Sequence, residues 1–271
     1  MLSQEITSLQ NSHIKAVVKL RDKKHRDQTG LMIVEGKREI SRAKQAGIVF
    51  KEIYFSKDFL AQDANQEFQM QVSEDIEDIF DVEDNVFEKI CFGQRNEGIL
   101  AVCLQPKKTW ADLRLGKKPL LVILEGLEKP GNLGAVLRTC DGAGVDGLII
   151  CDGITDIYNP NVVRASTGVV FSIPVIQATS QEAIDFLKDH QILICATLPD
   201  AEKDYADVDM NIPLALVMGN EQKGLSKIWQ MKADQKVRIP MKGKADSLNV
   251  SVTTSVIIYE AIRQRKRSHH D

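Results

Sequence analysis

Residues 120–152 read LLVILEGLEKPGNLGAVLRTCDGAGVDGLIICD, and this stretch decides the fold class. It opens on an apolar run at 120–126, passes through a polar turn at Pro130 and Gly131 into a helix-like segment, and closes on a second apolar run at 146–152. Short apolar runs bounded by glycine, proline and aspartate are typical of buried strands. Two such strands joined by a helix predict a βαβ unit, in which the strands are parallel.

The same alternation continues towards the end of the chain. Further strand-like runs lie at 172–178, 191–197, 214–220 and 236–241. Helix-like segments separate them, so the sequence predicts an α/β domain with a mostly parallel sheet and helices on both faces. The final segment fits either a strand or a helix. We predict a helix, because Ser247 can cap its start and the basic residues at its end suit the helix dipole.

The first hundred residues predict a second, smaller α/β domain. Strands are expected at 30–36, 51–56 and 99–104, and helices near 12–24 and 37–46. The segment at 106–118 holds five basic residues and has no sustained apolar period, which is typical of a linker. We therefore predict domains at 1–105 and 119–271, joined by this linker.

Charge is unevenly distributed along the chain. The 35 basic and 38 acidic residues give a net charge of −3, which alone does not point to a polyanionic partner. Residues 1–60, however, hold twelve Lys and Arg against seven Asp and Glu, whereas residues 61–90 hold ten acidic residues and only Lys89 as a base. For any single lysine a solvated helix surface is the simpler interpretation. As a cluster, the basic residues are candidates for phosphate contacts.

The cysteines and histidines do not form a metal-binding pattern. The five cysteines stand far apart, each in or near an apolar stretch, and no histidine has a partner at ligand spacing. We expect reduced, buried thiols and no metal. The sequence has no run of eighteen apolar residues and no secretory pattern at its amino end. We therefore expect a cytoplasmic protein without a membrane partner.

One familiar motif is misplaced. Gly142, Gly144 and Gly147 match G-x-G-x-x-G, but they precede a strand, whereas a dinucleotide-binding turn follows a strand and opens a helix. A nicotinamide-dependent oxidoreductase is therefore disfavoured. The chain also lacks a G-x-x-x-x-G-K-[ST] sequence, so nothing supports a P-loop nucleotide site.

Three other segments place polar residues directly after a strand, at the sheet edge where open α/β proteins bind ligands. The first contains Asn132 and Arg138, the second runs Gly219-Asn-Glu221-Gln-Lys-Gly224, and the third contains Ser247 and Asn249. Each has a structural alternative. Asn132 and Ser247 could simply cap helices, Arg138 could form a surface ion pair, and Glu221 could lie at a helix N-terminus that the dipole favours.

Together, the three segments resemble the motifs of the SpoU/TrmH family of RNA ribose 2′-O-methyltransferases, within the SPOUT superfamily. The matching residues, in family order, are Asn132-x-Gly134-x-x-x-Arg138, Gly219-x-Glu221-x-x-Gly224, and Ile239-Pro240-Met241 followed by Ser247-Leu248-Asn249-Val250-Ser251. In the amino-terminal region, Arg26-x-x-x-Gly30 and Val34-Glu35-Gly36-Lys37 are similar to the family's RNA-binding domain, which has a ribosomal-protein-like α/β fold. The segment 242–246, before Ser247, is longer than in many members.

The resemblance implies a trefoil knot in the carboxyl-terminal domain, a homodimer formed through that domain, and S-adenosylmethionine as cofactor. The implied cofactor-binding residues are Thr197, Leu198, Met218, Gly219, Asn220, Ile239, Met241 and Leu248. The implied catalytic residues are Asn132, Arg138, Glu221, Ser247 and Asn249. The RNA-binding residues that we expect are Lys15, Arg21, Arg26, Lys37, Arg38 and Arg164, joined by basic residues near the carboxyl end.

The chemistry restricts what these residues can do. A guanidinium stays protonated at accessible pH, so we expect Arg138 to clamp a substrate phosphate and stabilise the ribose oxygen rather than act as a base. Asn132 is expected to orient the ribose, and Glu221 to order either Arg138 or Asn132. Ser247 and Asn249 would shape the methyl-transfer pocket.

The globular amino-terminal domain resembles the ribosomal-RNA members of the family more than the tRNA members, which tend to carry short helical extensions, so the resemblance implies ribosomal RNA as substrate. A tRNA ribose methyltransferase stays open as an alternative, as does a non-catalytic RNA-binding or ribosome-assembly factor that keeps the fold. Methylation of a base is a further alternative, although the Asn132 and Arg138 motif favours the ribose.

Overall fold

The computed structural model describes residues 3–92, 97–153 and 155–267, except the side chain of Arg267. The chain forms two compact units. The amino-terminal unit comprises residues 1–107 and 156–172, and the carboxyl-terminal unit comprises residues 108–155 and 173–271. No helix in the described ranges combines the length and the hydropathy needed to cross a bilayer.

The amino-terminal unit contains a five-stranded mixed sheet. In sheet order its strands are β1 (Gln4–Ile6), β4 (Asp78–Val82), β3 (Phe50–Ser56), β5 (Ile99–Leu104) and β2 (Leu31–Glu35). β5 is antiparallel to both of its neighbours, whereas β1 and β3 run parallel to β4. The helices are α1 (Ser12–Lys19), α2 (Lys23–Thr29), α3 (Lys37–Gln45), α4 (Lys57–Leu60), α5 (Gln66–Ser73) and α6 (Asp84–Ile90).

Where the sequence predicts one helix at 12–24, the structure has two. α1 ends at Lys19, and α2 begins at Lys23 with Asp22 as its cap. The Asp22 carboxylate accepts a hydrogen bond from the Lys24 backbone N–H at 2.9 Å. An aspartate at this position satisfies one of the free N–H groups of a new helix, so it favours a break in the chain there.

A segment that we expected in the carboxyl-terminal domain belongs to the amino-terminal unit. Residues 156–172 include helix α8 (Pro160–Ala165), which contacts β2. Arg42 donates from Nη1 to the carbonyl and the hydroxyl of Thr167, both at 2.6 Å. Gly168 has a φ of +82°, and a Cβ there would lie 3.0 Å from the Glu39 Cα, so only glycine permits this close approach.

The carboxyl-terminal unit contains a seven-stranded sheet in which every pair is parallel, which confirms the predicted α/β domain with a mostly parallel sheet. Its strand order is β10 (Lys203–Asp204), β12 (Gln235–Arg238), β9 (Leu193–Thr197), β11 (Leu214–Met218), β6 (Leu120–Glu125), β7 (Gly147–Cys151) and β8 (Val175–Ala178). Its helices are α7 (Pro130–Ala143), α9 (Ser180–Asp189), α10 (Lys227–Lys232) and α11 (Val250–Arg267).

Both faces of this sheet are buried. Alternate strand residues such as Leu121 and Ile123 join a core with α9 and with Trp229 of α10. The intervening residues, such as Val122 and Leu124, are equally buried, and helices α7 and α11 contact each other and the strands. Burial on both faces explains why the strands read as continuous apolar runs rather than as an alternation.

Two interpretations of local motifs are settled by the helix ends. Gly144, at a φ of +67°, is the left-handed residue that ends α7 before β7, so the G-x-G-x-x-G match closes a helix instead of opening one. The last segment is a helix, as predicted, but it begins at Val250. Asn249 provides the capping bond, since its Oδ1 accepts from the Ser251 N–H at 2.9 Å. The expectation that Ser247 caps this helix is therefore wrong.

Candidate active site

The loop that follows β11 is held in one conformation by its own backbone and by Asn220. The backbone groups of Asn220 and Gly224 exchange hydrogen bonds of 3.2 and 2.9 Å. A Cβ on Gly219 would lie 2.4 Å from the carbonyl carbon of Gly224, so the loop can close only with glycine there. The Asn220 Oδ1 also accepts from the N–H groups of Gln222 and Lys223 at 2.8 and 3.1 Å.

This loop forms one wall of a cavity of about 290 Å³ in the carboxyl-terminal unit. All eight residues expected to bind the cofactor line the cavity, and so do Glu221 and Ser247. The lining residues outside the expected cofactor-binding and catalytic sets are Pro199, Gln222, Lys223, Gly224, Asp246, Val250 and Thr253. Among these, Asp246 is notable because it is the last residue of the long segment before Ser247, and no pattern in the sequence distinguished it.

The cavity has the chemistry of a site for a polar ligand with an apolar part. The Thr197 Oγ1 is buried and has no hydrogen-bond partner among the described residues, so a ligand in the cavity could satisfy it. Leu198, Ile239 and Leu248 supply apolar surface around it. Apolar walls with a few placed polar groups are typical of small-molecule and cofactor sites. The residues present therefore fit S-adenosylmethionine, which combines an adenine with charged and hydroxyl groups.

Three of the expected catalytic residues form a chain of hydrogen bonds. The Asn132 Nδ2 donates to the Glu221 carboxylate, and the Asn249 Nδ2 donates to the Asn132 Oδ1 at 3.3 Å. The three residues come from different segments, separated by 89 and 117 positions in the pairs that bond. The sheet thus brings all three motifs together at one edge, as strands that end side by side require.

The structural alternatives for two of these residues are wrong. Asn132 lies inside the first turn of α7, whose cap is Lys129, so its side chain is free to bond Glu221 and Asn249. Glu221 precedes α10 by several residues and lies in the loop, so it is not a helix N-terminal carboxylate. It contacts Asn132, which resolves the open choice between Asn132 and Arg138 as its partner.

Arg138 lies on the exposed side of α7. The described residues provide no hydrogen bond or ion pair to its guanidinium, so the surface ion-pair alternative is unsupported. Arg138 follows Asn132 by six residues, which is about 9 Å along a helix. An exposed, unpaired guanidinium at that distance is available to bind an anionic group of a substrate.

The expected RNA-binding residues divide into exposed and structurally engaged groups. Lys15 and Arg38 are exposed, and the contact that Arg38 makes with Glu39 is long, at 3.5 Å. Arg164 is partly buried at the end of α8, and Lys37 donates to Asn65 beneath two aromatic rings. Arg21 donates to the carbonyls of Lys89 and Cys91, at 2.8 and 2.6 Å. Lys15 and Arg38 are therefore the better candidates for phosphate contacts.

Arg26 is a correction to the prediction. Its side chain is 1% exposed and pairs with Asp156, and its Nη1 donates to the Leu20 carbonyl at 2.6 Å. A guanidinium with these partners cannot reach a phosphate without breaking the fold around it. The sequence could not reveal this, because Asp156 is 130 residues away.

The buried cysteines are protonated thiols. Burial raises the pKa of Cys140 and of Cys195 to about 12, and burial raises the pKa of Cys103 and Cys151 beyond the usual range. All five cysteines are unpaired. Within the described ranges, no three His, Cys, Asp or Glu side chains form a group that could hold a metal ion.

Comparison with known proteins gives two family matches. A profile described as the SpoU rRNA Methylase family matches residues 119–259, and one described as the MRM3-like substrate binding domain matches residues 11–101. The 23S rRNA (guanosine(2553)-2'-O)-methyltransferase RlmP of Bacillus subtilis is 28% identical over 260 residues, which cover 94% of this chain and 98% of that protein.

Solved structures are similar over nearly the whole chain. A crystal structure described as an RNA 2'-O ribose methyltransferase superposes with a TM-score of 0.85 and 39% identity, covering 97% of this chain and all of that one. An AdoMet-bound rRNA methyltransferase from Sinorhizobium meliloti superposes with a TM-score of 0.87 and 30% identity, covering 96% and 98% of the two chains.

Proposed function

Because the chain belongs to the SpoU rRNA methylase family, we propose that it transfers a methyl group from S-adenosylmethionine to a ribose 2′-hydroxyl of ribosomal RNA. The observation that carries this proposal is the bond between the Asn132 amide and Glu221, because Glu221 also lines the candidate cofactor cavity. The groups suited to orient a ribose therefore adjoin the groups suited to bind the methyl donor.

The cofactor would be held by residues of three loops around the cavity. Thr197 ends β9 and Leu198 follows it. Met218 ends β11, with Gly219 and Asn220 after it, and Ile239, Met241 and Leu248 follow β12. When bound, S-adenosylmethionine supplies an electrophilic methyl group on a sulfonium. The Thr197 hydroxyl, which has no partner among the described residues, is one side-chain group that would bond the cofactor.

Asn132 is suited to orient the ribose because both ends of its amide are fixed. Its Oδ1 accepts from Asn249, and one N–H donates to Glu221, so the amide cannot rotate without losing both bonds. The second N–H of Nδ2 is left to donate to a ribose oxygen. Holding the nucleophile in one orientation is a large part of what an enzyme contributes to a bimolecular reaction.

Arg138 would act on the substrate rather than on the protein. Its free guanidinium is suited to bind the phosphate next to the target ribose in a bidentate manner. A cation beside the 2′-oxygen also stabilises the negative charge that develops there as the proton leaves. Ser247, at the cavity wall, and Asn249, bonded to Asn132, would shape the space between cofactor and ribose.

We also propose the knot and the homodimer that the family resemblance implies. In support of a knot, β11 is inserted between β6 and β9, and β12 lies beyond β9, so the last strands do not follow one another in sheet order. In support of a dimer, Val252 and Tyr259 of α11 are about half exposed and lie seven residues apart, on one side of the helix. A second copy of the chain packed on this side of α11 would cover both side chains.

The amino-terminal unit is proposed to bind RNA, which agrees with the substrate-binding profile that matches residues 11–101. Along the chain, we propose domains at 1–105 and 119–271 with a linker between them, except that residues 156–172 belong to the amino-terminal unit. We propose a cytoplasmic location, supported by the five unpaired cysteines, because thiols stay reduced there.

The substrate class can be tested with one assay. The protein is incubated with S-adenosylmethionine carrying a deuterated methyl group and, in parallel, with unmodified ribosomal RNA or total tRNA. The RNA is digested to nucleosides and analysed by mass spectrometry. We expect a labelled 2′-O-methylnucleoside from ribosomal RNA. A labelled base would contradict the ribose assignment, and label in tRNA alone would favour the tRNA alternative.

A further inference from the structure

The loop that carries Glu221 is fastened at both ends by the end of one neighbouring strand. At its start, the Asn220 Nδ2 donates to the Gly126 carbonyl at 2.8 Å. At its end, the Ser226 N–H donates to the Glu125 Oε2 at 2.7 Å. Glu125 is the last residue of β6, and Gly126 follows it directly. Two consecutive residues thus set the positions of both ends of the loop at 219–226.

The Glu125 side chain is itself held in place by its surroundings. Its side chain is 8% exposed, and its second carboxylate oxygen lies 3.3 Å from the Ser180 Oγ. Ser180 in turn accepts from the Trp229 Nε1 at 2.8 Å and donates to Asp152. A carboxylate buried in this way must keep its hydrogen bonds, because leaving it without partners carries a large desolvation penalty.

The part of the chain between the two ends contains the groups that the reaction needs. Glu221 lies there and bonds Asn132, and Gly219 to Gly224 line the cavity. Glu125 is not among the cavity-lining residues, so it does not touch a bound cofactor. Any effect of Glu125 on the reaction must therefore pass through the loop.

We infer that Glu125 is a positioning residue for methyl transfer: by accepting from the Ser226 N–H, it fixes the 219–226 loop so that Glu221 meets Asn132 and the loop forms the cofactor wall. This inference rests on the proposed function. What Glu125 contributes is an acceptor atom, so its negative charge is not required. Glutamine could keep the acceptor towards Ser226, while its amide nitrogen donates to Ser180.

The competing interpretation is that Glu125 only stabilises the unit, since Ser226 is also the residue before α10. Two variants separate the two roles. Glu125→Leu has a similar shape but removes the acceptor, whereas Glu125→Gln is the matched control that keeps it. Binding of S-adenosylmethionine to each variant is measured by calorimetry without RNA, and kcat and KM are measured with ribosomal RNA.

We expect Glu125→Leu to weaken cofactor binding about tenfold and to lower kcat about tenfold, because an unsatisfied N–H releases the loop. Glu125→Gln should stay within about threefold of the wild type for both quantities. Unchanged binding and kcat in Glu125→Leu would overturn the inference, and so would equal losses in the leucine and glutamine variants.

A double-variant cycle tests whether Glu125 acts through Glu221. The kcat of Glu125→Leu combined with Glu221→Ala should equal that of Glu221→Ala alone, within about twofold. Losses that multiply would show an independent effect and overturn the inference. If Glu125→Leu does not fold, Ser226→Pro removes the same bond from the donor side, since the Ser226 φ of −65° suits proline.

The proline variant should then weaken cofactor binding about tenfold as well, and normal binding would overturn the inference. Failure of the inference is distinguishable from failure of the proposed function. A wild-type protein that binds no S-adenosylmethionine would contradict the function itself, whereas an active wild type with unaffected variants would contradict only the role of Glu125.

Discussion

Replacing Arg26 by methionine should destabilise the amino-terminal unit without any direct effect on RNA contacts. The guanidinium is almost completely buried, and it makes three hydrogen bonds. Its Nε lies 3.1 Å from the Asp156 Oδ2, its Nη2 bonds the same oxygen, and its Nη1 donates to the Leu20 carbonyl at 2.6 Å. Methionine keeps most of the volume but provides none of these donors.

The expected loss of unfolding free energy follows from the Asp156 carboxylate, which the substitution leaves without its partner. The Asp156 carboxylate is 12% exposed. Without Arg26 it would still accept from the Tyr158 N–H, at 3.0 Å, but it would lose both bonds from the guanidinium. Removing one partner of a buried ion pair costs about 3–5 kcal/mol. Because the Tyr158 bond remains and Asp156 is not fully buried, we expect about 3 kcal/mol. Adding Asp156→Leu should recover most of this loss, since a buried pair can be replaced by apolar residues at little cost.

Hydrogen exchange followed by mass spectrometry is the suitable assay. Both tryptophans, Trp110 and Trp229, lie in the carboxyl-terminal unit, so their fluorescence would not report the loss. Amides of β2 and β5 should exchange roughly 150-fold faster in Arg26→Met, which corresponds to about 3 kcal/mol. Normal exchange combined with weaker RNA binding would refute this reasoning and would restore Arg26 as an RNA contact.

Three further outcomes are expected. Gly219→Ala should weaken S-adenosylmethionine binding at least about tenfold in calorimetry, because the new Cβ meets backbone atoms that cannot move aside; unchanged affinity would contradict the loop geometry. The folded thiols of Cys140 and Cys195 keep their protons to about pH 12, whereas unfolded thiols lose them near pH 9, so the folded state binds more protons between these values. Unfolding free energy should therefore fall above pH 9, by about 1.4 kcal/mol per pH unit and thiol, and Cys195→Ala should reduce that slope in denaturant titrations. Lys15→Ala and Arg38→Ala should each weaken RNA binding and lower the slope of log Kd against log salt by about 1, while cofactor affinity stays unchanged; an unaltered slope would remove them from the interface.

The parallel sheet could be predicted from the sequence because each strand is recognisable from its own few residues. Strands buried on both faces, such as β6 and β7, require continuous apolar runs, and these are visible without any alignment. The meeting of Asn132, Glu221 and Asn249 could also be anticipated, since polar residues after parallel strands gather at one edge.

Other features depend on contacts between distant residues and were not predictable. β4 lies in the acidic stretch at 61–90, where charged residues obscure the strand pattern, and β1 has only three residues. The place of residues 156–172 in the amino-terminal unit depends on Arg26 and Arg42, more than 100 positions away. The residues next to Asp156 in the sequence do not indicate that its partner is Arg26.

The hydrogen-bond partners of the basic side chains could not be predicted from the sequence. Arg21 and Arg26 belong to the same basic cluster as Lys15, and the sequence alone does not distinguish them. The structure does, because Arg21 and Arg26 donate to backbone carbonyls, whereas the exposed Lys15 side chain makes no such bond among the described residues. Counting basic residues therefore identifies a candidate surface but not the residues on it that remain free.

The most direct test of the account is the rate of 2′-O-methylnucleoside formation in ribosomal RNA by the wild type, Asn132→Ala and Arg138→Ala. Mass spectrometry measures the product, and calorimetry measures cofactor binding in the same preparations. We expect product from the wild type and a loss of at least about 100-fold in both variants, with cofactor affinity unchanged within about threefold. Near-normal turnover in both variants, at unchanged RNA affinity, would contradict the assignment of the active site.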